Sequence, residues 1–437
     1  MVNDTTRLLG LEGLAVVKVD EGVHGPVVHL ETADEAARAC PECGVRARRV
    51  KGWTVTRPRD LPVAGRHTEL RWRKRRWFCD ERACPRGTFT EQVGQVPARA
   101  RLTTRLRRAA GAAVADGGRT VVQSARDHRL SWPVVSAALA AHALQVLPVE
   151  VPVVQRLGVD ETRRGRPRWR WDEQTGSWET VCDRWHVGFV DLSGGHGLLG
   201  QVEGRTKASV IGWLDERGPA WKQQVKVVAI DMCSVFKSAI GHALPDATIV
   251  ADHFHLVQLA NAAVTEIRRR VTLQVRGRRG RKGNREWELR NRLTRSAARM
   301  HAAQLDPMVD DLRALPDKIG VPILTAWNAK EDLLDLLALA RAHPPRSVIS
   351  NALTRFYIRC ADSGVPELQR LASTVSTWWA QILAFILTGI TNAGSEGTNR
   401  VIKTIARDAY GFRNPENQRL RTRCATTRKT RGHLNPA

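Results

Sequence analysis

The sequence predicts a multidomain α+β protein with a small zinc-binding β module built on four cysteines, a helix-turn-helix and a mixed-sheet domain that contains a helical insertion. Three observations support this prediction. Four cysteines form two close pairs within residues 40–84, apolar residues take helical spacing from residue 97, and the chain alternates between β-rich and helical segments from residue 154. The length of 437 residues leaves room for about two to four such domains.

The charge balance indicates a polyanionic partner. The chain has 69 Lys and Arg residues against 44 Asp and Glu residues, a formal net charge of +25. Nucleic acid is the first candidate partner for such a charge, and a basic membrane-surface protein is the alternative. No run of about 18 apolar residues and no N-terminal signal pattern occurs in the sequence, so we expect no membrane partner and a cytoplasmic location.

The N-terminal 92 residues are interpreted as a β-hairpin segment, 1–34, followed by a zinc-binding module, 35–92. Cys40, Cys43, Cys79 and Cys84 form a C-x2-C and C-x4-C set. Four thiolates satisfy tetrahedral Zn²⁺ and leave no open coordination position, so we expect one structural Zn²⁺ ion. The alternative is four unrelated thiols, and disulfides are not expected in a reducing compartment.

A basic strand is predicted between the two cysteine pairs, within residues 68–79. Its Arg73, Lys74, Arg75 and Arg76 are candidate contacts to DNA phosphate. The tryptophans of this strand are expected to pack in the core rather than to touch bases.

Residues 96–147 are predicted to form a helix-turn-helix DNA-binding domain. Thr120 and Gln123 have the spacing of a capping box, and Ser131 is a candidate N-cap for a third helix with Pro133 in its first turn. That third helix would enter the major groove. Plain packing of three short helices is the alternative interpretation.

Three carboxylates stand in similar local settings in the remainder of the chain. Asp160 and Asp231 each end an apolar, strand-like run, and Glu396 opens a predicted helix over residues 392–407. Two acids at strand ends and one on a late helix can converge to bind two divalent cations, Mg²⁺ or Mn²⁺. We therefore predict a catalytic core in two parts, 152–259 and 389–424, separated by a helical insertion, 260–388, and followed by a basic tail, 425–437.

Other residues compete for these roles. Glu161 adjoins Asp160, and Asp252, which also ends a strand-like run, is a rival to Asp231. His255 follows Asp252 and could be a metal ligand, although a hydrogen-bonded Asp–His pair in the core is the simpler interpretation.

The helix that begins near Glu396 also has a polar and basic face. Asn399, Arg400, Lys403 and Arg407 follow Glu396 at offsets that place them on one side of a helix, and we predict that they bind DNA. An ordinary Glu–Arg pair along the helix is the alternative.

The motifs occur in a specific order. They are Arg59-Asp60-Leu61-Pro62, Arg75-Arg76-Trp77-Phe78-Cys79, Thr88-Phe89-Thr90-Glu91, Gly158-Val159-Asp160-Glu161, Gly204-Arg205-Thr206, Asp252-His253-Phe254-His255, Glu396-Gly397-Thr398-Asn399 and Tyr410-Gly411-Phe412-Arg413-Asn414. This ordered set resembles the ISL-three family of insertion-sequence transposases from about residue 38 to residue 423. The resemblance implies a ribonuclease-H-like fold, an Asp-Asp-Glu triad that matches Asp160, Asp231 and Glu396, and a helical insertion before the glutamate. The Trp-rich segment 168–185 departs from the pattern and is expected to be an added β-hairpin.

The expected function is that of a metal-dependent DNA transposase. Such an enzyme binds the terminal inverted repeats of its element, cuts DNA to expose a 3′-hydroxyl and transfers that end to target DNA, as a homodimer or larger synaptic oligomer. A DNA-binding regulator that has lost its chemistry and a plain metal-dependent nuclease are the alternatives.

Overall fold

The computed structural model describes residues 4–63, 65–340 and 342–432. The chain divides into two compact units, one formed by Met1–Val149 with Ile405–Ala437 and the other by Glu150–Thr404. The strands are β1 Leu14–Gly22, β2 Gly25–Thr32, β3 Val50–Thr56, β4 Glu69–Phe78, β5 Thr88–Thr90, β6 Arg156–Arg163, β7 Arg168–Asp172, β8 Ser177–Cys182, β9 Trp185–Asp191, β10 Leu198–Glu203, β11 Val227–Ile230 and β12 Thr248–Ala251.

The helices cover most of the remaining residues. They are α1 Asp4–Leu9, α2 Thr104–Ala115, α3 Val121–Asp127, α4 Trp132–Val146, α5 Lys207–Asp215, α6 Pro219–Gln224, α7 Ser234–Ala243, α8 His253–Arg276, α9 Arg285–Glu288, α10 Ala302–Arg313, α11 Asp317–Ala338, α12 Arg346–Asp362, α13 Pro366–Thr377, α14 Trp379–Thr388, α15 Ala393–Asp408 and α16 Pro415–Thr426.

The sheet of the first unit has the order β1-β2-β4-β3, with β5 paired to β4. The expected N-terminal hairpin is present as β1 and β2, and β2 pairs in parallel with β4. The N-terminal segment and the cysteine module therefore share one sheet. Trp72 and Trp77 of β4 are buried, as expected, in separate apolar clusters on this sheet.

The helix-turn-helix of the first unit consists of α2, α3 and α4. The predicted capping box at the start of α3 is present, because Thr120 and Gln123 exchange side-chain-to-backbone hydrogen bonds of 3.1 and 2.9 Å. Ser131 is the N-cap of α4, but its side chain makes no capping hydrogen bond. Helix α16, which packs on α2 and α4, is not predicted from the sequence.

The C-terminal residues do not form the predicted basic tail as far as residue 432. Arg428 donates hydrogen bonds to the carbonyl oxygens of Val114 and Ala115, and Arg431 pairs with Asp116. These arginines satisfy the C-terminal end of α2, where orphan carbonyl groups favour cationic side chains. Residues 433–437 lie outside the described part of the chain.

The second unit is built on a mixed sheet of order β10-β9-β6-β11-β12. Strands β10, β9 and β6 are antiparallel to one another, whereas β6, β11 and β12 are parallel. This is the ribonuclease-H-like, mixed-sheet arrangement that the resemblance implies. The central strands are buried on both faces, with Val159, Phe189 and Ile230 fully enclosed.

Strand β6 is longer than the sequence predicts. The apolar run ends at Asp160, but the strand continues to Arg163 because residues 160–163 still pair with β9. On the other side, β11 stops at Ile230, opposite Val159. Asp160 therefore lies within a strand that has lost its neighbour on one side.

The predicted helical insertion is formed by α8 to α14, which join the same apolar core as the sheet. Part of its basic stretch serves internal pairing, since Arg270 and Arg276 contact the buried carboxylates of Glu367 and Glu286. Within the described residues, no single helix is long and apolar enough to cross a membrane. The bent pair α13 and α14, at 69°, meets that length and composition only when the two helices are joined.

Candidate active site and zinc site

Asp160 occupies the strand position where β6 loses its neighbour, and its side chain is buried. Burial, and after it the adjacent charge of Asp231, raises the pKa of Asp160 to about 7. The two carboxyl groups contact each other. The structure thus brings together two of the three acids that the sequence singles out.

Asp231 directly follows β11 and is held from two sides. His255 Nε2 lies 2.9 Å from Asp231 Oδ2, and Asn392 Nδ2 donates a hydrogen bond of 3.3 Å to Asp231 Oδ1. The hydrogen bond to Asp231 raises the pKa of His255. From the sequence, His255 is expected near this site in a pair with Asp252, whereas in the structure it contacts Asp231.

Helix α15 packs directly against β6 because Gly158 has no side chain. A Cβ at this position would overlap Ser395 Oγ on α15 and would lie 2.9 Å from Asn392 Oδ1, just before the helix, too close for real atoms. Asn392 is fully buried and also donates to the carbonyl oxygen of Val159 at 3.2 Å. The glycine in the Gly-Val-Asp-Glu motif therefore permits the helix to reach the strand.

Asn399, two turns further along α15, contacts the other aspartate. Its Nδ2 donates a hydrogen bond of 2.6 Å to Asp160 Oδ2, and its Oδ1 accepts one from the Thr162 hydroxyl. The side chain is buried. Its burial and its bond to Asp160 favour a role in orienting that carboxylate, while the DNA-binding role of Asn399 stays a prediction.

Glu396 lies in the first turn of α15, between these two asparagines. It precedes Asn399 by three residues, so these two side chains lie about 60° apart around the helix axis. Glu396 therefore lies near the side of α15 on which Asn399 bonds Asp160. Its role as the third metal ligand stays a prediction.

In the structure, Asp252 remains an alternative to Asp231 as the second acidic metal ligand. One ligand atom from each of Asp231, Asp252 and His255 lies within 4.8 Å of the others. Asp252 is fully buried, and among the described residues neither of its carboxylate oxygens has a hydrogen-bond partner. We favour Asp231 as the ligand because it is partly exposed and contacts Asp160, whereas Asp252 lies deeper.

This set of donors fits a divalent cation. Asp160 and Asp231 repel each other when both are ionised, and the buried carboxylate of Asp252 is unsatisfied. A cation bound among them would remove both penalties, and carboxylate oxygens are the ligands that Mg²⁺ and Mn²⁺ prefer. The residues present therefore suit the predicted metals.

A basic rim adjoins the acids at the end of β6. The guanidinium groups of Arg163 and Arg205 lie 4.6 and 4.5 Å from the ring centroid of Trp185, and Arg205 is 3.7 Å from Glu161. Burial raises the pKa of Glu161, and the Arg205 charge lowers it. Arg163 is not predicted as part of the site from the sequence, although it follows Asp160 by only three residues.

The remaining predicted DNA contacts differ in exposure. Arg400, Lys403 and Arg407 are exposed on α15, which is compatible with a DNA-binding role. On β4, Arg73 and Arg76 are exposed, whereas Arg75 is bonded to the buried carboxylate of Glu91. Burial lowers the pKa of Lys74, whose ammonium lies 4.3 Å from the Trp72 ring. Arg75 and Lys74 therefore make contacts within the zinc-binding module that stabilise its fold.

The four predicted zinc ligands converge at one point. Their sulfur atoms all lie within 4.8 Å of one another, with Cys40 Sγ 3.9 Å from Cys84 Sγ and Cys43 Sγ 3.5 Å from Cys79 Sγ. Tetrahedral Zn²⁺ with Zn–S bonds of about 2.3 Å separates its sulfurs by about 3.8 Å. Burial raises the pKa of Cys40, but hydrogen bonds from the backbone of Cys43 and Glu42 and from the thiols of Cys43 and Cys79 together lower it to about 7. The geometry suits a structural zinc site.

Comparisons with known proteins agree along the chain. Family models match a transposase domain of the ISL3 type at residues 157–422, a zinc finger of the IS204/IS1001/IS1096/IS1165 transposases at 36–84, and an ISL3 helix-turn-helix domain at 91–143. The transposase for insertion sequence element IS1001 of Bordetella parapertussis is 28% identical over 394 residues, 88% of each chain. The solved Drosophila P element transposase strand transfer complex matches at 10% identity with a TM-score of 0.38, covering 75% of this chain and 93% of that chain.

Proposed function

Because this chain belongs to the ISL3 family of transposases, we propose that it cuts and joins DNA at a site formed by Asp160, Asp231 and Glu396. The substrate would be double-stranded DNA that carries the terminal inverted repeats of an insertion sequence. The product would be that DNA joined through its 3′ end to a target duplex.

The paired carboxylates of Asp160 and Asp231 are the observation that carries this proposal. Two acids in contact where the parallel pairing of β6 and β11 ends, one with a pKa raised to about 7, form an environment that favours a bound cation. Among the described residues, the basic group that pairs with these acids is His255, which contacts Asp231 and not Asp160. The helix that supplies Glu396 packs on the same strand.

Neighbouring side chains of the protein orient the carboxylates of Asp160 and Asp231. Asn399 fixes Asp160, while Asn392 and His255 fix the two oxygens of Asp231. Hydrogen bonds of this kind set the direction and basicity of a ligand. When bound, two Mg²⁺ ions would supply activation of the attacking water or 3′-hydroxyl and stabilisation of the leaving oxygen. Arg163 and Arg205 would contact phosphates beside the cut.

DNA recognition would rest on the helix-turn-helix and on exposed basic residues. A formal charge of +25 favours strong, salt-dependent affinity for any duplex. In our proposal, α4 reads the major groove of the terminal repeat. Two element ends must meet for joining, so a homodimer or larger synaptic oligomer is the proposed working form.

A strand-transfer assay tests this function. Labelled element ends and a supercoiled target plasmid are incubated in Mg²⁺ with the native protein and with Glu396→Gln, which keeps the side-chain shape but removes its charge. We expect joined products with the native protein only, while both proteins bind the ends equally. Cut but unjoined ends would instead indicate a nuclease, and binding without any cutting would indicate a DNA-binding regulator.

A further inference from the structure

The Trp-rich hairpin β7–β8 presents three indole rings on one of its faces. Trp171 pairs with Trp178 across the two strands, and Trp169 pairs with Thr180. Because alternate residues of a strand share a face, Trp169, Trp171 and Trp178 lie on the same side. The rings of Trp171 and Trp178 meet edge to face, with centroids 5.5 Å apart.

This aromatic face is not part of a core. Trp169, Trp171 and Trp178 are 54%, 48% and 64% exposed, and none belongs to the apolar core of the second unit. The opposite face is polar and contains the Arg170–Glu179 ion pair at 3.4 Å. An isolated two-stranded hairpin gains little stability by itself. Three exposed indoles on such an element therefore indicate a binding surface.

The hairpin follows β6, the strand that contains Asp160, along the chain. It is inserted between β6 and β9, and β6 extends only from Asp160 to Arg163 before the insertion begins. Three strand residues span about 10 Å. The Arg163 and Arg205 rim on Trp185 lies at this junction.

Further positive charge follows along the connection from β6 to β7. In the described part of the chain, no acidic side chain lies within salt-bridge distance of Arg166 or Arg168. Along this segment, the carboxylates are thus followed by arginines and then by exposed indoles. A DNA strand offers a matching group for each: the phosphate that is cut for the acids, the neighbouring phosphates for the arginines, and the bases for the indoles.

We propose that the aromatic face of β7–β8 stacks on unpaired DNA bases next to the phosphate that is cut. This inference rests on the proposed function, since it takes the acids as the place where that phosphate binds. Stacking on indole tolerates any base, because every base has a π-face. The hairpin would stabilise the separated strand at the element end while the arginines contact its phosphates.

A second copy of this chain is the competing occupant of the face. A second copy carries the same excess positive charge and is therefore less complementary to this face than DNA is. The arginines beside the hairpin would repel another strongly basic surface. Charge complementarity therefore favours DNA, and self-association becomes an outcome of the test.

The test compares two DNA probes in EDTA, where no strand is cut. One is a blunt, fluorescein-labelled duplex of about 30 base pairs, and the other has the same duplex with an unpaired tail of about five thymines. We expect the native protein to bind the tailed probe more tightly. Each Trp→Ala change should weaken that binding about fivefold, and the triple Ala variant should bind both probes equally.

Matched variants separate stacking from other effects. Trp→Phe at the same three positions keeps an aromatic ring and should retain the preference, as should Glu179→Gln on the opposite face. If the triple variant does not fold, Trp178→Ala alone, at the most exposed position, gives the same comparison. Zinc content and melting midpoint report the fold of each variant.

The inference is overturned if the native protein does not distinguish the probes, or if the triple variant keeps the preference. It is also overturned if light scattering shows that the triple variant changes only the oligomeric state. Strand cutting without a tail preference would leave the proposed function intact and remove this inference. A tail preference without cutting would leave a stacking site and remove the proposed function.

Discussion

Asn399 Nδ2 donates a hydrogen bond of 2.6 Å to Asp160 Oδ2, although the two residues are 239 positions apart in the sequence. This contact joins α15 to the central strand β6 across the whole helical insertion. Long excursions of this kind are tolerable because the entropy of closing a loop grows slowly with its length. The bond makes the geometry of one candidate ligand depend on the helix that bears another.

Asn399 should act on the metal site and not on DNA affinity. Asn399→Leu removes the hydrogen bond that orients Asp160, so we expect cleavage to fall about 10- to 100-fold and the Mg²⁺ requirement to rise. Arg400→Leu, at the neighbouring exposed position, is the control and should weaken DNA binding instead. Cleavage rates across a Mg²⁺ series, with DNA affinity measured in parallel, distinguish the two. Equal effects of both changes on DNA affinity alone would contradict this role.

Gly158→Ala should separate α15 from β6. The new Cβ would collide with Asn392 and with Leu192, so the helix or the strand must shift. Overpacking of this kind costs about 1–3 kcal/mol of unfolding free energy. We expect lower stability in urea unfolding together with a large loss of cleavage. Gly212→Ala, inside α5 where a Cβ meets nothing within 4 Å, is the control; it should leave cleavage unchanged and raise the unfolding free energy by about 0.5–1 kcal/mol.

The stability of the metal-free protein should depend on pH through Asp160. The pKa of this carboxyl is about 7 in the folded protein against 3.8 for an unperturbed aspartate. The folded state therefore retains a proton that the unfolded chain releases, and stability falls as pH rises from about 4 to about 7. Asp160→Asn abolishes this loss. Relative to the native protein, the variant should gain between about 1 and 3 kcal/mol on going from about pH 5 to about pH 8.

The pH comparison is made by urea unfolding in EDTA, because bound cations would stabilise the ionised carboxylate. Taking the difference between native and variant proteins removes the contribution of other titrating groups. A difference that stays constant between the two pH values would show that Asp160 has an ordinary pKa.

The zinc site should be required for the fold of the first unit. Protein purified without chelator is expected to contain about one zinc ion per chain, and the Cys43→Ser, Cys79→Ser double variant about none. Elemental analysis provides the measurement. Cys182→Ser, which changes a cysteine in the second unit, is the control. Zinc retained in full by the double variant would contradict the assignment of these ligands.

Much of this architecture follows from local sequence patterns. The capping box at Thr120 and the paired cysteines each have a characteristic residue spacing. In the structure the capping box forms and the four cysteine sulfurs converge, as predicted. The apolar runs before Asp160 and Asp231 likewise predict strands, and in the structure these two strands are neighbours and parallel. Helix α16 was missed although Asn414 and Pro415 are good start signals, because its polar sequence has little apolar periodicity.

The roles of Asn392 and Asn399 depend on contacts that sequence spacing does not specify. A polar face on α15 indicates an interaction, but only the approach of the helix to β6 shows that its partner is a buried carboxylate. The extension of β6 past Asp160 is likewise not specified by the local sequence. It depends on continued pairing with β9 and not on the apolar pattern.

The identity of the middle acid is the most direct test of the proposed chemistry. Asp231→Asn and Asp252→Asn are compared for cleavage of a labelled element end in Mg²⁺, with DNA affinity measured for each. We predict that Asp231→Asn lowers the rate by at least about 100-fold without loss of binding, and that Asp252→Asn retains clearly more activity. Normal cutting by Asp231→Asn, or a greater loss in Asp252→Asn, would contradict the account.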